Sequence, residues 1–380
     1  MVFPRATFRA TGLTFLGYPP ALDDRYHQAL SPLQIRVWRA HFGVCPRSSY
    51  RMWLLLLQQE ENAPQVQQRS QGLNLMAFFM TLFFLKTYPT NEVMASRVQK
   101  DPKTVRKWVR WYISKMSRLS PILVSWDDKE RKKYDTILHY HTYSYFISLH
   151  FLTSPCPQWN KVCWNDRLLG GGHQRIAKTT TDGTDTRICE PSPFSRSWWS
   201  HKINGPALRY ELCVAVGCSR IVWVHGPFRA GRWPDTKIFK RGLRQILDHF
   251  GEKTIADAGY RGLGDWIQAK GDPLLSPNTR RFNTRARARH ETVNRRIKQF
   301  DCLNQRWRHP LHKHEGTFMA IVCLTYIQME FEPLFEWTRG TEDERHFWVG
   351  EQQPPCKHAS AMRRKRMKKM PCRLMRSMIK

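Results

Sequence analysis

The chain has 380 residues, 41% of them hydrophobic, with 15 Trp and 20 Phe, which excludes global disorder and provides for a sizeable core. Lys and Arg number 62 against 31 Asp and Glu, a net charge of +31 that makes the compact chain repel itself unless a polyanion neutralises it. An anionic membrane surface is the rival partner, but no basic amphipathic helix or lipidation signal supports it. The 10 Cys contain no CxxC pair and no zinc-site spacing, and such scattered thiols suit a reducing compartment.

Residues 1–70 read as a polar, irregular extension, with helices expected around Leu33–Phe42 and Ser49–Gln58. Pro19–Pro20 and Asp23–Asp24 follow the first apolar run at once, which argues against a secretory signal. The apolar stretch Leu73–Leu85 is too short to span a bilayer and reads as a buried helix.

Residues 71–130 are expected to be helical and to carry a helix-turn-helix. Thr90 caps a short helix over Asn91–Val98, Gln99–Lys100 turns, and Asp101–Pro102 starts a second helix. On that helix Val105, Val109 and Tyr112 share one side and should face a core. Lys103, Lys107 and Arg110 share another side, where phosphates or base edges are within reach. Nine Lys or Arg and two acids lie between Lys86 and Arg118. The plain alternative is a helix hairpin with a solvated lysine face.

Residues 131–177 form a linker or insert; the block from about Tyr134 to Trp164 has no usable turn logic and reads as an inserted or mis-spliced segment. From 178 to 337 the order becomes strand, strand, strand, helix, strand, helix, helix. Thr179–Cys189 is a strand centred on Asp182, and Leu208–Val216 and Ile221–His225 form a hairpin. Trp233–Pro234–Asp235 opens a helix through His249, Lys253–Ala256 is a short strand ending in Asp257, and Arg285–Phe300 is a helix. Val293, Ile297 and Phe300 line one side of that helix, and Glu291 lies off their row. Residues 338–380 are a basic tail; its Arg363–Lys369 run is a nuclear localisation signal or a solvated end.

Each acid has an ordinary explanation. Asp182 can serve a turn, Asp257 can end its strand, and Glu291 can pair with Arg287 or Arg295 on its own helix. Taken together, one acid sits on the first strand, one at the end of the fourth and one on a later helix. Three acids crowded into so basic a chain would repel one another without a cation between them. Strand alternation would turn Asp185, three positions after Asp182, to the opposite face of the sheet.

On the DGT of Asp182–Thr184, the PD of Pro234–Asp235, the ADAGY of Ala256–Tyr260 and the ARHETVNRRIKQF from Ala288, the chain resembles the DDE superfamily endonucleases of PIF/Harbinger-type transposases. The spacing from Asp257 to Glu291 agrees, and the likeness reaches back through FLKTY (Phe84–Tyr88) and the helix-turn-helix. This resemblance implies an α/β, ribonuclease-H-like mixed sheet flanked by helices, preceded by the all-α helix-turn-helix region. It implies Asp182, Asp257 and Glu291 as catalytic ligands of Mg²⁺ or Mn²⁺, with Asp182 shared between two ions, and Asp235 as an accessory acid. Arg287, Arg295, Lys298, Arg306 and Arg308 would join Lys103, Lys107 and Arg110 in holding double-stranded DNA. The activity implied is metal-dependent phosphodiester cleavage or strand transfer in the nucleus, and a homodimer or an accessory DNA-binding protein is admitted as a further partner. Two alternatives stay open: a catalytically silent, domesticated DNA-binding protein, and an RNA-binding protein, which explains the charge but leaves the acids unexplained.

Overall fold

The computed structural model describes residues 4–18, 30–62, 73–126, 176–193, 195–216, 218–270, 275 and 277–334. The Tyr134–Trp164 block and the Arg363–Lys369 run lie outside them.

The N-terminal extension holds one helix beyond the two expected there, α1, Arg5–Phe15. Its single buried side is narrow (Phe8, Leu13 and Phe15) and is broken up by Arg and Thr, which is why the sequence reads as polar. Helices α2 (Pro32–Phe42) and α3 (Pro46–Glu61) extend the expected ones to their start signals. Ser31 and Gln34 form a reciprocal capping box on α2, and Pro46 occupies the first turn of α3. Helix α4, Leu75–Thr87, is apolar all round and correspondingly buried. The Tyr112 hydroxyl donates to the Asn74 carbonyl at 2.6 Å, and the Asn74 side chain caps α4 at Ala77 N.

The helix-turn-helix elements form where the caps place them. The Thr90 side chain accepts from Val93 N at the start of α5 (Asn91–Val98), and Gln99 turns the chain in the left-handed region at φ 51°. Asp101 Oδ1 accepts from Lys103 N and Thr104 N to open α6, Pro102–Ser117. Val105, Val109 and Tyr112 are buried, whereas Lys103, Lys107 and Arg110 are exposed. A short helix α7, Ser120–Leu123, follows.

Strands β1 (Ile176–Arg187), β2 (Trp199–Ser200), β3 (Gly205–Ala215), β4 (Ile221–Arg229), β5 (Glu252–Ala256) and β6 (Ile267–Ala269) make one mixed sheet. β3 lies antiparallel between β1 and β4, β5 pairs parallel with the other edge of β1, and β6 pairs parallel with β5. β2 pairs with the start of β3. Helices α8 (Asp235–Arg241) and α9 (Leu243–Phe250) join β4 to β5. They replace the single helix expected through His249. Gly242 separates them at φ −139° and ψ −71°, and a β-carbon there would come within 2.7 Å of His225 Nδ1. Helices α10 (Pro277–Lys298), α11 (Asp301–Asn304) and α12 (His314–Phe331) complete the described chain.

The chain is thus an α/β protein with a mixed, curled sheet flanked by helices and an all-helical N-terminal region. Two cores lie on the two faces of the sheet. On one, Leu208, Tyr210, Leu212 and Val214 meet Val293 and Ile297 of α10 and Phe318 of α12, and this core runs on without a break into α1–α6. On the other, Cys213, Val222 and Ala256 meet Phe239, Leu243, Leu247 and Tyr260. α12 binds the first core to the sheet: its Phe318 stacks on Tyr210 with ring centroids 3.7 Å apart, and His314 Nδ1 shares a 2.7 Å hydrogen bond with the Tyr210 hydroxyl. No helix among the described residues is long and apolar enough to cross a membrane.

Phe8 is fully buried against Tyr50 and Phe79, with ring centroids 5.1 and 4.9 Å away. Phe8→Ala is expected to destabilise the protein by about 3–5 kcal/mol, the usual range for emptying a core phenylalanine site. Denaturant unfolding measures this, and a loss under about 1 kcal/mol would mean that α1 is not part of the cooperative core.

Candidate active site

β1 is the central strand, and its alternation gives the two faces different polar groups. Thr180 and Asp182 face α10: Thr180 Oγ1 lies 2.9 Å from His290 Nδ1, and Asn294 Nδ2 donates to Asp182 Oδ2 at 3.3 Å. Asp185 takes the opposite face, where Arg209 Nε and Nη2 reach its two oxygens at 2.7 and 2.8 Å.

The parallel pairing of β1 with β5 sets Thr180 beside Ile255, so Asp257, just past β5, comes next to Asp182. α10 crosses above them. One open cleft is consequently lined by Thr180, Thr181, Asp182, Asp257, Arg287, His290 and Glu291, which brings the three sequence-derived acids to one place. Asp182 Oδ1 accepts from Gly183 N and Asp257 Oδ1 from Gly259 N, each at 2.8 Å, so both carboxylates are oriented by their own turns. Glu291 is exposed and, among the described residues, forms no hydrogen bond and no ion pair with Arg287 or Arg295. The ordinary reading of Glu291 as half of a helix ion pair therefore has no contact behind it.

Asp235 opens α8 against the other face of β1, directly under Gly183. A β-carbon on Gly183 would lie 2.1 Å from Asp235 Oδ1, so the glycine of the DGT element is what admits the second acid. Lys202, in the turn between β2 and β3, links the two sides. Its Nζ lies 3.2 Å from Asp235 Oδ2 and 3.7 Å from Asp182 Oδ1, and donates to the Gly183 carbonyl at 2.9 Å. Burial pushes the Asp235 carboxyl up, and the nearby Lys202 and Arg209 charges only partly offset this. Asp185 also feels burial, yet the Arg209 hydrogen bonds and charge outweigh it and hold its carboxyl below the ordinary value.

The donor set fits a hard divalent ion in kind. It consists of carboxylate oxygens, those of Glu291 without a partner among the described residues, in a cleft where an ammonium already stands near Asp182. It does not yet fit in spacing: among the described residues no three His, Cys, Asp or Glu side chains are grouped closely enough to hold one metal ion.

The basic residues divide by role. Arg287 lines the cleft, Arg295 is exposed on α10, and Lys298 is near enough to Asp182 and Asp185 to feel their charge. Arg306 lines a second cleft with Arg187, Trp199 and Asn204. The Arg308 guanidinium sits 4.2 Å over the Tyr88 ring and donates to the Tyr88 carbonyl, tying the helical region to the segment before α12.

Sequence reasoning passed over His290, Asn294, Lys202 and Glu211. The first two had a signal: they stand four apart on α10, one turn along the side that meets β1. His290 is buried, which pushes its pKa down, and its Nε2 has no hydrogen-bond partner among the described residues. Lys202 and Glu211 had none, since one is a turn lysine and the other a lone acid within the strand expected over Leu208–Val216.

Glu211 lies beneath the site on the Asp235 face. Burial pushes its carboxyl up from 4.5 to about 8, even though Trp223 Nε1 donates to its Oε2 at 3.2 Å. The folded chain therefore keeps a proton that the unfolded chain releases above about 4.5, and stability drains away as pH rises from there to about 8. Glu211→Gln removes this dependence. Across melting curves from pH 5 to pH 8, wild type should lose melting temperature relative to the variant; a constant difference between them would show that Glu211 is charged in the fold. No family model, no curated protein and no solved structure matches this chain.

Proposed function

We propose that the protein is a DDE-type, transposase-like endonuclease that binds double-stranded DNA and cleaves or joins phosphodiester bonds with Mg²⁺ or Mn²⁺. The observation that carries this reading is the shared cleft of Asp182, Asp257 and Glu291, three acids distant in sequence in a chain of net charge +31. Its strand order supports a ribonuclease-H-like fold: three antiparallel strands with β1 innermost, then two parallel to it.

Asp182 and Asp257 would hold one ion, and Asp182 with Glu291 a second. The chemistry such ions would supply there is activation of the attacking hydroxyl and stabilisation of the leaving oxygen. The protein's own groups do the rest. The Gly183 and Gly259 amides fix the two aspartates, Asn294 steadies Asp182, and Arg287 at the cleft offers its guanidinium to a phosphate. Lys103, Lys107 and Arg110, exposed along α6, hold the duplex.

One observation favours a second reading, a catalytically silent DNA-binding protein: among the described residues the acids are not grouped closely enough to chelate an ion as they stand. Plasmid nicking decides between the two. Wild type is expected to nick supercoiled DNA with Mg²⁺ or Mn²⁺, and Asp182→Asn to reduce the rate at least about 100-fold while DNA affinity stays within about twofold, because Asn keeps the turn but not the charge a hard cation needs. A wild type inert with every divalent ion favours the silent reading, and equal rates in both proteins remove Asp182 from the chemistry.

Binding separates from cleavage at α6. Replacing Lys103, Lys107 and Arg110 together with Ala should lower the log–log salt slope of DNA affinity by up to roughly 3, at about 0.9 for each phosphate no longer neutralised. An unchanged slope would place the duplex elsewhere.

A further inference from the structure

Arg187, at the end of β1, and Arg306, just after α11, are brought together by a single parallel bridge. Trp307 N donates to the Arg187 carbonyl at 3.0 Å and Cys189 N to the Trp307 carbonyl at 3.3 Å, which pairs Ile188 with Trp307. Both bridge residues are buried, so alternation turns the residues before them, Arg187 and Arg306, outward on one side and next to each other. Two guanidiniums held side by side repel unless an anion lies between them. Among the described residues neither side chain forms a hydrogen bond or an ion pair, and both line one cleft of about 220 Å³.

Trp199 enters the same cleft from β2 and is half-buried. Its strand is fixed on both sides: Trp199 pairs with Pro206 on β3, and the hydroxyl of Ser200 beside it donates to the buried Asp185. Asn204, turned in the left-handed region at φ 48°, and Glu190 bring an amide and a carboxylate to the cleft. These are the parts of a nucleotide site: an indole for the base to stack on, cations for its phosphate, and two groups that can meet the edge of the base. Glu190 offsets part of the arginine charge, which favours a phosphodiester over a polyphosphate. In a duplex each base is stacked between its neighbours, so a base lying on Trp199 has to be unpaired. Arg187 follows Asp182 along β1 at a distance of about 16 Å, at 3.3 Å per residue, so a strand passing the acidic cleft can reach this one.

We propose that the second cleft holds an unpaired nucleotide of a DNA strand, its base stacked on Trp199 and its phosphate between Arg187 and Arg306. The inference rests on the DNA-binding reading above and needs no metal ion. It separates Arg306 from the basic row of α6: the helix grips the duplex, and the cleft takes a nucleotide that has left it.

The test is fluorescence anisotropy on the full chain with a chelator present, using a short oligothymidylate, the same strand made of abasic sugars, and a blunt duplex. Trp199→Ala should weaken binding of oligothymidylate about tenfold, within the range that loss of one stacked base gives, and should change affinity for the abasic strand and the duplex by no more than about twofold. Trp199→Phe, which keeps an aromatic face, should stay within about threefold of wild type. Replacing Arg187 and Arg306 together with Gln should lower the log–log salt slope for oligothymidylate by about 0.7, the share of one single-strand phosphate. If Trp199→Ala does not fold, Trp199→Leu, which keeps the bulk without the ring, takes its place. Equal losses on strand and duplex would make these residues part of a duplex surface and overturn the inference alone. An oligothymidylate affinity unchanged by loss of the ring overturns it as well, and so does tighter binding of the matching ribonucleotide strand, which assigns the cleft to RNA. Wild type that binds neither strand nor duplex overturns the DNA-binding reading and the inference with it.

Discussion

A buried ion pair between Asp185 and Arg209 is the constraint on which the site depends. Arg209 spans both oxygens of Asp185, and its Nη1 also reaches Asp235 at 3.3 Å and the Trp233 carbonyl at the same distance. Removing one member of such a pair strands a charge away from water, a loss on the order of 3–5 kcal/mol in comparable cases. The pair fixes the β2–β3 turn through Ser200 and the start of α8 through Asp235, from opposite directions. Gly183 leaves the gap between these two anchors, and the carboxylate packed beneath it closes that gap.

The two faces of β1 handle charge in different ways. On the Asp235 side each acid is settled internally, by Arg209, by Lys202 or, at Glu211, by retaining its proton. On the α10 side the acids at the cleft are left largely open, with Glu291 unpaired among the described residues although arginines flank it along the helix. Among the described residues, none of the chain's Lys or Arg side chains forms an ion pair with this surface glutamate.

Much of this was legible in the sequence because it is local. Thr90, Asp101–Pro102 and Ser31 announce their helices through hydrogen bonds reaching only two or three residues, and the period of Val105, Val109 and Tyr112 named the buried side of α6. The alternation of β1 likewise separates Asp182 from Asp185. What escaped is non-local or masked by composition. The break at Gly242 follows from a close approach of His225, the third parallel strand over Ile267–Ala269 is too short to show a period, and Lys202 acquires its meaning only from two strands and a helix around it. Glu211 carries no sign of its burial in the sequence, because alternation cannot announce a sheet covered on both sides.

The continuity of the first core has a mechanical consequence. α6 packs on α4 and on α12, and α12 in turn is pinned to β3 through Tyr210, His314 and Phe318. Interiors packed in this manner transmit displacement instead of absorbing it. The exposed basic row of α6 and the acidic cleft on β1 therefore behave as two marks on a single ruler. On the proposed function, a duplex gripped at the first mark would meet the second at a fixed offset along its length, and the position of any cut would be counted from the grip, not searched for.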